Sequence, residues 1–432
     1  MPHPVYRTAL FLSQLVERIP IGTNLGLAHL LFALLSGHLL QSRGALFPAL
    51  VKTGLRDSEV RAAEAALRLG KWNVTYLLKR LEWLVRKERK ATPHEVNGWR
   101  PLPIDWVGFY RPRLKNCPTK HFHSQAQRAL PAIELGMVAT LRQVENRLVA
   151  SLITITRSGD TVELLKAAQR HQGRRDVLLA DSQVKISHLS EAGIQNFVVR
   201  GATNLTFRRS APRPAKPGAR GRKPTLGEVV RPLPRTFKGK VIPGSHAERV
   251  ETFRDGKYEV VGLWFDSLVL PGCPLIFSCL AIYHPKYAKP WVLLSDVPAS
   301  AETIFLLYRC RWPIESLPQT GKQLLGGHRS FVHAEASRYR LPELCLLAAS
   351  ISQYLAATSP AQSTGFWDRN PLPTPGRFAR AIANSTMPEF GLLCGVSERV
   401  RRKSSVHDHL PRGIVAHRRQ RSKRDKAAVT GK

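Results

Sequence analysis

The spacing of hydrophobic positions changes near residue 99, and this change divides the chain into a helical part and a strand-rich part. Before that point, apolar residues recur at the spacing that places them on one face of a helix. Asn24, Asp57 and Asn73 each stand at the start of such a segment and belong to the residue types that cap helices. The pattern predicts a helical domain over residues 1–98.

Between residues 99 and 207, short apolar runs replace the helical spacing. One run ends at an acid, Asp181, as in a buried strand that carries a carboxylate at its carboxyl end. Strand-like and helix-like segments follow one another, which predicts an α/β fold with a mixed sheet. The expected strands are 133–139, 148–155, 176–181 and 196–200, and the expected helix is 186–192.

A second group of strand-like segments predicts a β-rich insertion over residues 208–300. Proline and glycine break these segments, as they do between strands. The last part of the core is expected over 301–360, with an apolar helix at 341–357, and a C-terminal region follows over 361–432. The expected strands of the insertion are 257–265, 275–283 and 291–295.

The charge of the chain is strongly unbalanced. Its 432 residues include 66 Lys and Arg against 31 Asp and Glu, a formal charge of +35. Such an excess destabilises a compact state by self-repulsion, so we expect nucleic acid as the partner, with a membrane surface as the weaker alternative. The apolar stretch 25–40 is too short and too polar to span a bilayer, and no secretory signal is evident. The cysteines lack paired spacing, which suits a reducing cytoplasm.

Three basic segments are candidate contacts for DNA. The third N-terminal helix ends in a basic run at 86–90, which favours a DNA-binding domain over a plain helical bundle with cations at a helix end. Residues 208–224 are rich in Arg, Lys, Pro and Gly, and we expect either a mobile loop that touches phosphates or a solvated linker. The tail from Arg399 onward either binds DNA electrostatically or only improves solubility.

The most informative polar pattern lies in residues 308–322, which read YRCRWPIESLPQTGK. On a regular α-helix, four polar side chains of this segment would fall within an arc of roughly 60°. One carboxylate would then share a face with two cations and a phenol, a set that suits a phosphodiester bound beside a divalent metal. A solvated helix face with an ion pair is an equally good interpretation of the segment alone. The four residues are Tyr308, Arg311, Glu315 and Lys322.

The spacing Y-x2-R-x3-E-x6-K resembles, at all four positions, the signature of the DDE transposases of the bacterial insertion-sequence-four family. Trp312 and Ile314 agree with the pattern that flanks this signature. The resemblance covers roughly residues 100 to 340 and implies a ribonuclease-H-like core with a β-rich insertion between its second and third acids. Three acids would hold two metal ions, and Glu315 would be the third of them.

The resemblance also singles out two aspartates and an arginine. Asp105 ends the run LPID just after the helical domain, where the family carries its first metal-binding Asp; on its own it reads as an ordinary turn residue at a strand end. Asp181 stands where the family carries the second, because strand, Asp, helix, strand and Arg follow in the same order. Arg200 would be the phosphate-contacting Arg of that order.

Trp291, in KPWVLLSD, resembles in context the aromatic residue on which relatives stack a base flipped out of the transposon end. Stacking of this kind is worth about 1–3 kcal/mol per base. A tryptophan that opens a strand is also commonly a core residue, so both interpretations remain open.

The implied activity is cut-and-paste transposition, with cleavage at the terminal inverted repeats of double-stranded DNA and strand transfer into target DNA. Carboxylate ligands indicate two Mg²⁺ ions, with Mn²⁺ as a substitute. Tyr308, Arg311 and Lys322 would grip phosphates near the cut. The resemblance further implies a homodimer on DNA, associated with the nucleoid in a bacterial cytoplasm and not with a membrane.

One feature departs from the family pattern, because Pro318 and Gly321 fall inside the expected helix. An interior proline costs about 3 kcal/mol and a glycine about 1 kcal/mol. We therefore expect a kinked helix, and Pro318→Phe with Gly321→Ala should raise cleavage if the kink impairs the enzyme. Two other functions remain open: a catalytically impaired transposase remnant that only binds DNA, and a structure-selective nuclease on the same core.

Overall fold

The structure, a computed structural model, describes residues 3–20, 22–210, 226–329 and 332–383. Within these ranges the chain forms a helical layer and a large sheet with both parallel and antiparallel strands. The fold is therefore mixed α/β, as predicted. Most of the basic segment 208–224 and the whole tail from Arg399 lie outside the described residues.

Helices fill the N-terminal part of the chain. They are α1 (Pro4–Val16), α2 (Asn24–Leu35), α3 (His38–Gln41), α4 (Leu46–Val51), α5 (Asp57–Leu69) and α6 (Val74–Glu88). The three predicted helices are confirmed as α2, α5 and α6. Asn73 caps α6, because its side chain accepts the N–H of Tyr76 at 2.8 Å. Asn24 and Asp57 are the first residues of α2 and α5, so their predicted capping roles are wrong although the helix starts are correct.

The first part of the sheet surrounds the two predicted aspartates. Its strands are β1 (Thr92–Pro93), β2 (Arg100–Tyr110), β3 (Thr119–His123), β4 (Arg128–Val144), β5 (Arg147–Thr156), β6 (Asp176–Ala180) and β7 (Phe197–Gly201). β4 lies between β5 and β2 and is antiparallel to both, whereas β2, β6 and β7 are parallel neighbours. Helix α7 (Thr161–Gln169) joins β5 to β6, and α8 (Ile186–Ala192) joins β6 to β7. These elements confirm the strands and the helix predicted for this region.

The strands of the insertion extend this sheet. They are β8 (Phe207–Ser210), β9 (Leu226–Val230), β10 (Arg235–Phe237), β11 (Lys240–Ile242), β12 (Arg249–Asp255), β13 (Tyr258–Val269), β14 (Phe277–Tyr283) and β15 (Trp291–Ser295). β15 pairs antiparallel with β7, and β14 and β13 follow outward. Only β10 and β11 form a hairpin apart from the large sheet in the described ranges. The three predicted strands of the insertion are confirmed as β13, β14 and β15.

The remaining helices are α9 (Ala301–Arg309), α10 (Ser316–Gln319), α11 (Glu335–Ala357) and α12 (Pro375–Ala383). α11 contains the predicted apolar helix 341–357, is buried along most of its length, and packs on β5, α2 and α6. It thus joins the helical layer to the sheet. Across the residues that the structure describes, every helix is either too short or too polar to cross a membrane.

Alternate residues of the central strands face two different hydrophobic cores. In β6, Val177 and Leu179 pack in the core shared with the N-terminal helices and α11, while Leu178 and Ala180 pack in the core under α7 and α8. Both faces of the sheet are therefore covered. The candidate site lies where the pairing of β2 with β6 stops, after Pro103 and Leu179.

Candidate active site

Asp105 and Asp181 lie beside one another where β2 and β6 separate. The two strands are parallel, and residues 100–103 pair in order with residues 176–179. Continued along both strands, this register sets Asp105 opposite Asp181. Asp181 directly follows β6, and its carboxylate accepts the N–H of Gln183 at 2.9 Å. The register of one strand pair thus brings two of the predicted acids together.

Asp105 lies inside a strand, so its predicted position at a strand end is wrong. β2 continues to Tyr110 because the residues that follow Asp105 pair with β4, and Trp106 and Phe109 are buried there. The pairing of β2 with β6, however, stops at Pro103. Asp105 therefore stands where β2 leaves its parallel neighbour, although not where the strand itself ends.

The carboxylate of Asp105 is surrounded by charge. Burial raises its pKa to about 6, and the neighbouring carboxylates of Asp181 and Glu315 also raise that pKa. The guanidinium of Arg311 and the backbone N–H of Trp106, which Asp105 accepts at 2.9 Å, act in the opposite direction. The three predicted acids are thus electrostatic neighbours, although they come from distant parts of the sequence. Their combined charge is of the kind that a bound cation would neutralise.

The segment that carries Glu315 follows a helical path but is not a regular α-helix. After α9, a 3-10 turn spans Trp312–Glu315, α10 follows, and a π turn spans Thr320–Leu324. The irregularity predicted from Pro318 is therefore present, since proline removes an N–H from the helical hydrogen-bond ladder just before the π turn. The shared face calculated for a regular α-helix does not apply to this segment.

Gly321 has a packing role that the sequence did not reveal. It is buried, and a Cβ at this position would lie 3.2 Å from the carbonyl oxygen of Cys345 in α11. The glycine therefore lets the π turn approach the backbone of α11 closely. Gly321→Ala would require this neighbouring backbone to shift by a few tenths of an ångström, and the higher cleavage expected of Pro318→Phe with Gly321→Ala stays a prediction.

Arg311 links the acids to the buried phenol of Tyr308. Its guanidinium is largely buried and pairs through Nη2 with Glu315, and it also lies near Asp105. Tyr308 is 1% exposed, and burial raises the pKa of its hydroxyl, while the guanidinium groups of Arg311 and Arg200 act in the opposite direction. Nε of Arg311 has no hydrogen-bond partner among the described residues. Arg311 therefore retains a donor for an additional acceptor.

Lys322, in the π turn, lies near Asp105 and two aromatic rings. Its ammonium lies 5.6 Å from the ring centroids of both Phe109 and Tyr110, within cation–π distance. Burial lowers the pKa of Lys322 to about 8, and the charge of Asp105 opposes this shift. The two rings were not among the predicted site residues. Their only signal in the sequence is that the apolar run of β2 continues past Asp105.

Trp291 lies inside an aromatic cluster. Its side chain is 5% exposed, it stacks on Tyr287 with ring centroids 4.6 Å apart, and the guanidinium of Arg200 lies 5.4 Å from its ring. The edges of Tyr308 and Trp312 complete the cluster. This burial favours the core interpretation of Trp291 over base stacking.

The donor chemistry of the site suits a divalent cation, because carboxylate oxygens are the ligands that Mg²⁺ prefers. As the side chains are placed, however, no group of three or more His, Cys, Asp or Glu residues in the described ranges is close enough to hold a metal ion. Glu315 is turned toward Arg311. Asp105 and Asp181 are therefore the two acids whose position and chemistry fit an ion, and Glu315 would have to exchange its partner to join them.

Comparison with protein-family models gave no match to this chain, and comparison with curated proteins gave none either. The resemblance to a transposase family therefore rests on the signature residues and on the arrangement of the acids.

Proposed function

We propose that the chain is a metal-dependent DNA transposase of the DDE type, which cleaves at terminal inverted repeats and transfers strands into target DNA. The observation that carries this proposal is the electrostatic interaction of three acids from separate segments with one another and with two buried or half-buried cations. Charges of Asp181, Glu315 and Arg311 all act on Asp105, and Asp105 in turn acts on Lys322. A solvated helix face would leave Arg311 exposed, whereas here its guanidinium is largely buried and acts on Asp105.

The strand arrangement supports the same proposal. β5, β4 and β2 are antiparallel neighbours, and β6 and β7 continue parallel to β2. This is the order and direction expected of the ribonuclease-H-like core that the motif implies. Asp105 stands on the first strand of that core in chain order, and Asp181 follows its fourth.

The proposed chemistry assigns different roles to the acids and the cations. Bound Mg²⁺ ions would activate a water and stabilise the departing 3′ oxygen of the cut strand. Asp105 and Asp181 would hold the ions first, and Glu315 would complete the set once the guanidinium of Arg311 turns to a phosphate oxygen. Tyr308, whose ring centroid lies 5.9 Å from the guanidinium carbon of Arg311, would help to position that side chain. Lys322 would contact a neighbouring phosphate.

The strong positive charge of the chain supports a double-stranded DNA partner, because each phosphate contact gains from counterion release. By the same resemblance we propose a homodimer on paired transposon ends, in a bacterial cytoplasm. Comparing the molar mass of the protein with and without the repeat DNA tests this assembly.

The proposal is tested by incubating the chain with Mg²⁺ and a labelled duplex that carries the terminal repeat flanking its own coding sequence. We expect nicking at the repeat boundary by the wild-type chain and none by Glu315→Ala. Scrambled repeat DNA is the matched control. Cutting of repeat and scrambled duplex alike, without strand joining, would indicate a structure-selective nuclease instead.

The broken helix favours one second candidate, a transposase remnant that binds DNA without cutting it. In that case the wild-type chain would bind the repeat duplex but leave it intact with either Mg²⁺ or Mn²⁺. Pro318→Phe alone, with Gly321 retained for its contact with α11, tests whether the irregular segment limits activity. A gain in cleavage by this folded variant would mean that the segment impairs an otherwise complete site.

A further inference from the structure

A second polar site lies at the opposite end of the β2–β6 pair, in a cavity of about 500 Å³ between α6 and the sheet. Its existence follows from the sequence of β2. Pro101 and Pro103 cannot donate a backbone hydrogen bond, and β2 pairs with β4 only from Ile104 onward. The strands diverge before that point, and the cavity is lined there by residues 100–102 of β2 and 140–142 of β4.

The lining of this cavity carries more positive than negative charge. Four Lys and Arg side chains stand against two carboxylates, those of Glu82 and Asp176. The Asp176 carboxylate is already occupied, because it forms an ion pair with Nε of Arg100 at 2.7 Å and accepts the N–H of Gly173 at 2.6 Å. The four cations are Lys79, Arg86, Arg100 and Arg142.

Arg142 is the cation that points to a ligand. Its side chain is 6% exposed, and its only ion-pair partner in the described ranges is Glu82, which also accepts Nε of Arg86 at 2.8 Å. One carboxylate therefore serves two guanidinium groups. Nε of Arg142, the hydroxyl of Thr140 and Oε2 of Glu82 have no hydrogen-bond partner among the described residues, although all three atoms are buried. A buried guanidinium with a free donor is costly unless an acceptor satisfies it.

We propose that this cavity binds a phosphate group of a nucleotide or of a DNA strand. A phosphate offers oxygen acceptors for Nε of Arg142 and negative charge to a lining with more cations than carboxylates, and guanidinium groups bind phosphate oxygens strongly. The volume lies within the range of small-ligand pockets, so a nucleotide fits as well as a single backbone phosphate. The site is distinct from the acids, because it lies at the other end of the strands that carry them. The inference does not depend on the proposed transposase activity.

The test measures binding of three probes to the full chain by calorimetry at about 150 mM salt, which screens non-specific attraction. The probes are inorganic phosphate, deoxyadenosine monophosphate and deoxyadenosine without phosphate. We expect saturable binding of the first two and none of the third. Arg142→Gln should weaken binding of both phosphate probes about tenfold, the loss of one charge-assisted contact.

Lys79→Ala is the second variant, because Lys79 lies at the exposed side of α6 and its removal should leave the fold intact. Lys240→Ala, on the separate hairpin of β10 and β11, is the matched control with the same loss of charge. Lys79→Ala should weaken binding by about threefold and Lys240→Ala should not. If Arg142→Gln fails to fold, the comparison of Lys79→Ala with Lys240→Ala tests whether the cavity binds phosphate.

Two results would overturn the inference: no saturable binding of either phosphate probe to the wild-type chain, or equal weakening by Lys79→Ala and Lys240→Ala. A short single-stranded oligonucleotide added as a competitor distinguishes the sources of the phosphate. If it displaces the mononucleotide, the cavity accepts a phosphate of a DNA strand. If the mononucleotide stays bound, the ligand is a free nucleotide.

Discussion

The two ends of the β2–β6 pair differ in the charges that face one another across the strands. At one end Arg100 is the register partner of Asp176, and their side chains form an ion pair at 2.7 Å. At the other end the same register sets Asp105 opposite Asp181, two carboxylates that repel one another. The Arg100–Asp176 pair therefore neutralises its own charge, whereas the Asp105–Asp181 pair carries negative charge that a cation from outside the chain would neutralise.

This difference separates residues that hold the fold from residues that act. Opposite charges at neighbouring strand positions stabilise a sheet modestly, while like charges destabilise it. A cost of that kind is common at functional sites, where pKa values are shifted by burial and by neighbouring charges. We therefore expect Asp176 and Asp181, at the two ends of the same short strand, to respond to substitution in opposite ways.

The largest expected difference is in DNA cleavage. Asp181→Asn should lower the rate of repeat cleavage about a thousandfold, because loss of metal binding removes several kcal/mol of transition-state stabilisation. Asp176→Asn should leave the rate within about threefold of the wild type, since its carboxylate is used in an ion pair with Arg100. The measurement is single-turnover cleavage at saturating Mg²⁺. Equal losses of cleavage rate in both variants would contradict the different roles expected of Asp176 and Asp181.

The next difference is in stability. The pKa of Asp105 is raised from 3.8 to about 6, so this group favours the folded state only below about pH 4, and that contribution is lost as the pH rises through 6. Asp105→Asn should therefore raise the free energy of unfolding by up to about 3 kcal/mol near pH 8 and leave it unchanged near pH 4. The amide can still accept the N–H of Trp106. Urea unfolding at the two pH values measures this, and a variant less stable than wild type near pH 8 would contradict it.

Mg²⁺ should bind selectively at the end of the β2–β6 pair that carries Asp105 and Asp181, which we call the acidic end. At a concentration about 100 times its dissociation constant, a bound ion adds about 2.7 kcal/mol to the free energy of unfolding. We expect this gain near pH 8 for the wild type and for Asp176→Asn, and its loss in Asp105→Asn. The gain should also fall below about pH 6, because protons then compete for Asp105. Thermal unfolding with and without Mg²⁺ measures the effect, and a gain retained in Asp105→Asn would place the ion elsewhere.

The smallest expected effect on stability is at the end of the β2–β6 pair that carries Arg100 and Asp176, which we call the paired end. Asp176→Asn should lower the free energy of unfolding by about 1 kcal/mol or less, because the Arg100 side chain is 44% exposed and water screens the pair. High salt should reduce the difference further. Urea unfolding at low and high salt measures it. If Asp176→Asn lowered the free energy of unfolding by as much as Asp105→Asn is expected to raise it, the Arg100–Asp176 ion pair would contribute strongly to stability.

The sequence predicted elements wherever a local pattern specified them. The strand before Asp181 and the helix capped by Asn73 follow from apolar period and cap chemistry, which act within a few residues. The place of Asp105 was missed, because β2 continues through a pairing with β4 that no local signal announces. Tertiary pairing, not propensity, sets where that strand ends.

The sequence could name the residues of the candidate site, but it could not give the contacts that they make. The resemblance named Asp105, Asp181 and Glu315, but the shared face was calculated for a regular α-helix, which the structure replaces with 3-10, α and π turns. The burial of Trp291 and the packing of Gly321 on α11 depend on neighbours far away in the chain. The cavity at the paired end likewise needs the divergence of two strands, which two prolines allow but do not by themselves specify.

The central claim is that the acidic end of the strand pair holds a divalent ion and the paired end does not. It is tested most directly by replacing Mg²⁺ with Fe²⁺, which oxygen ligands also bind, and by adding ascorbate and peroxide so that the ion cuts the backbone beside it. We expect cuts in the protein backbone near residues 105, 181 and 315 in the wild type, and we expect these cuts to be lost in Asp105→Asn. Cuts near residues 82 and 176 instead, or a pattern unchanged in Asp105→Asn, would contradict it.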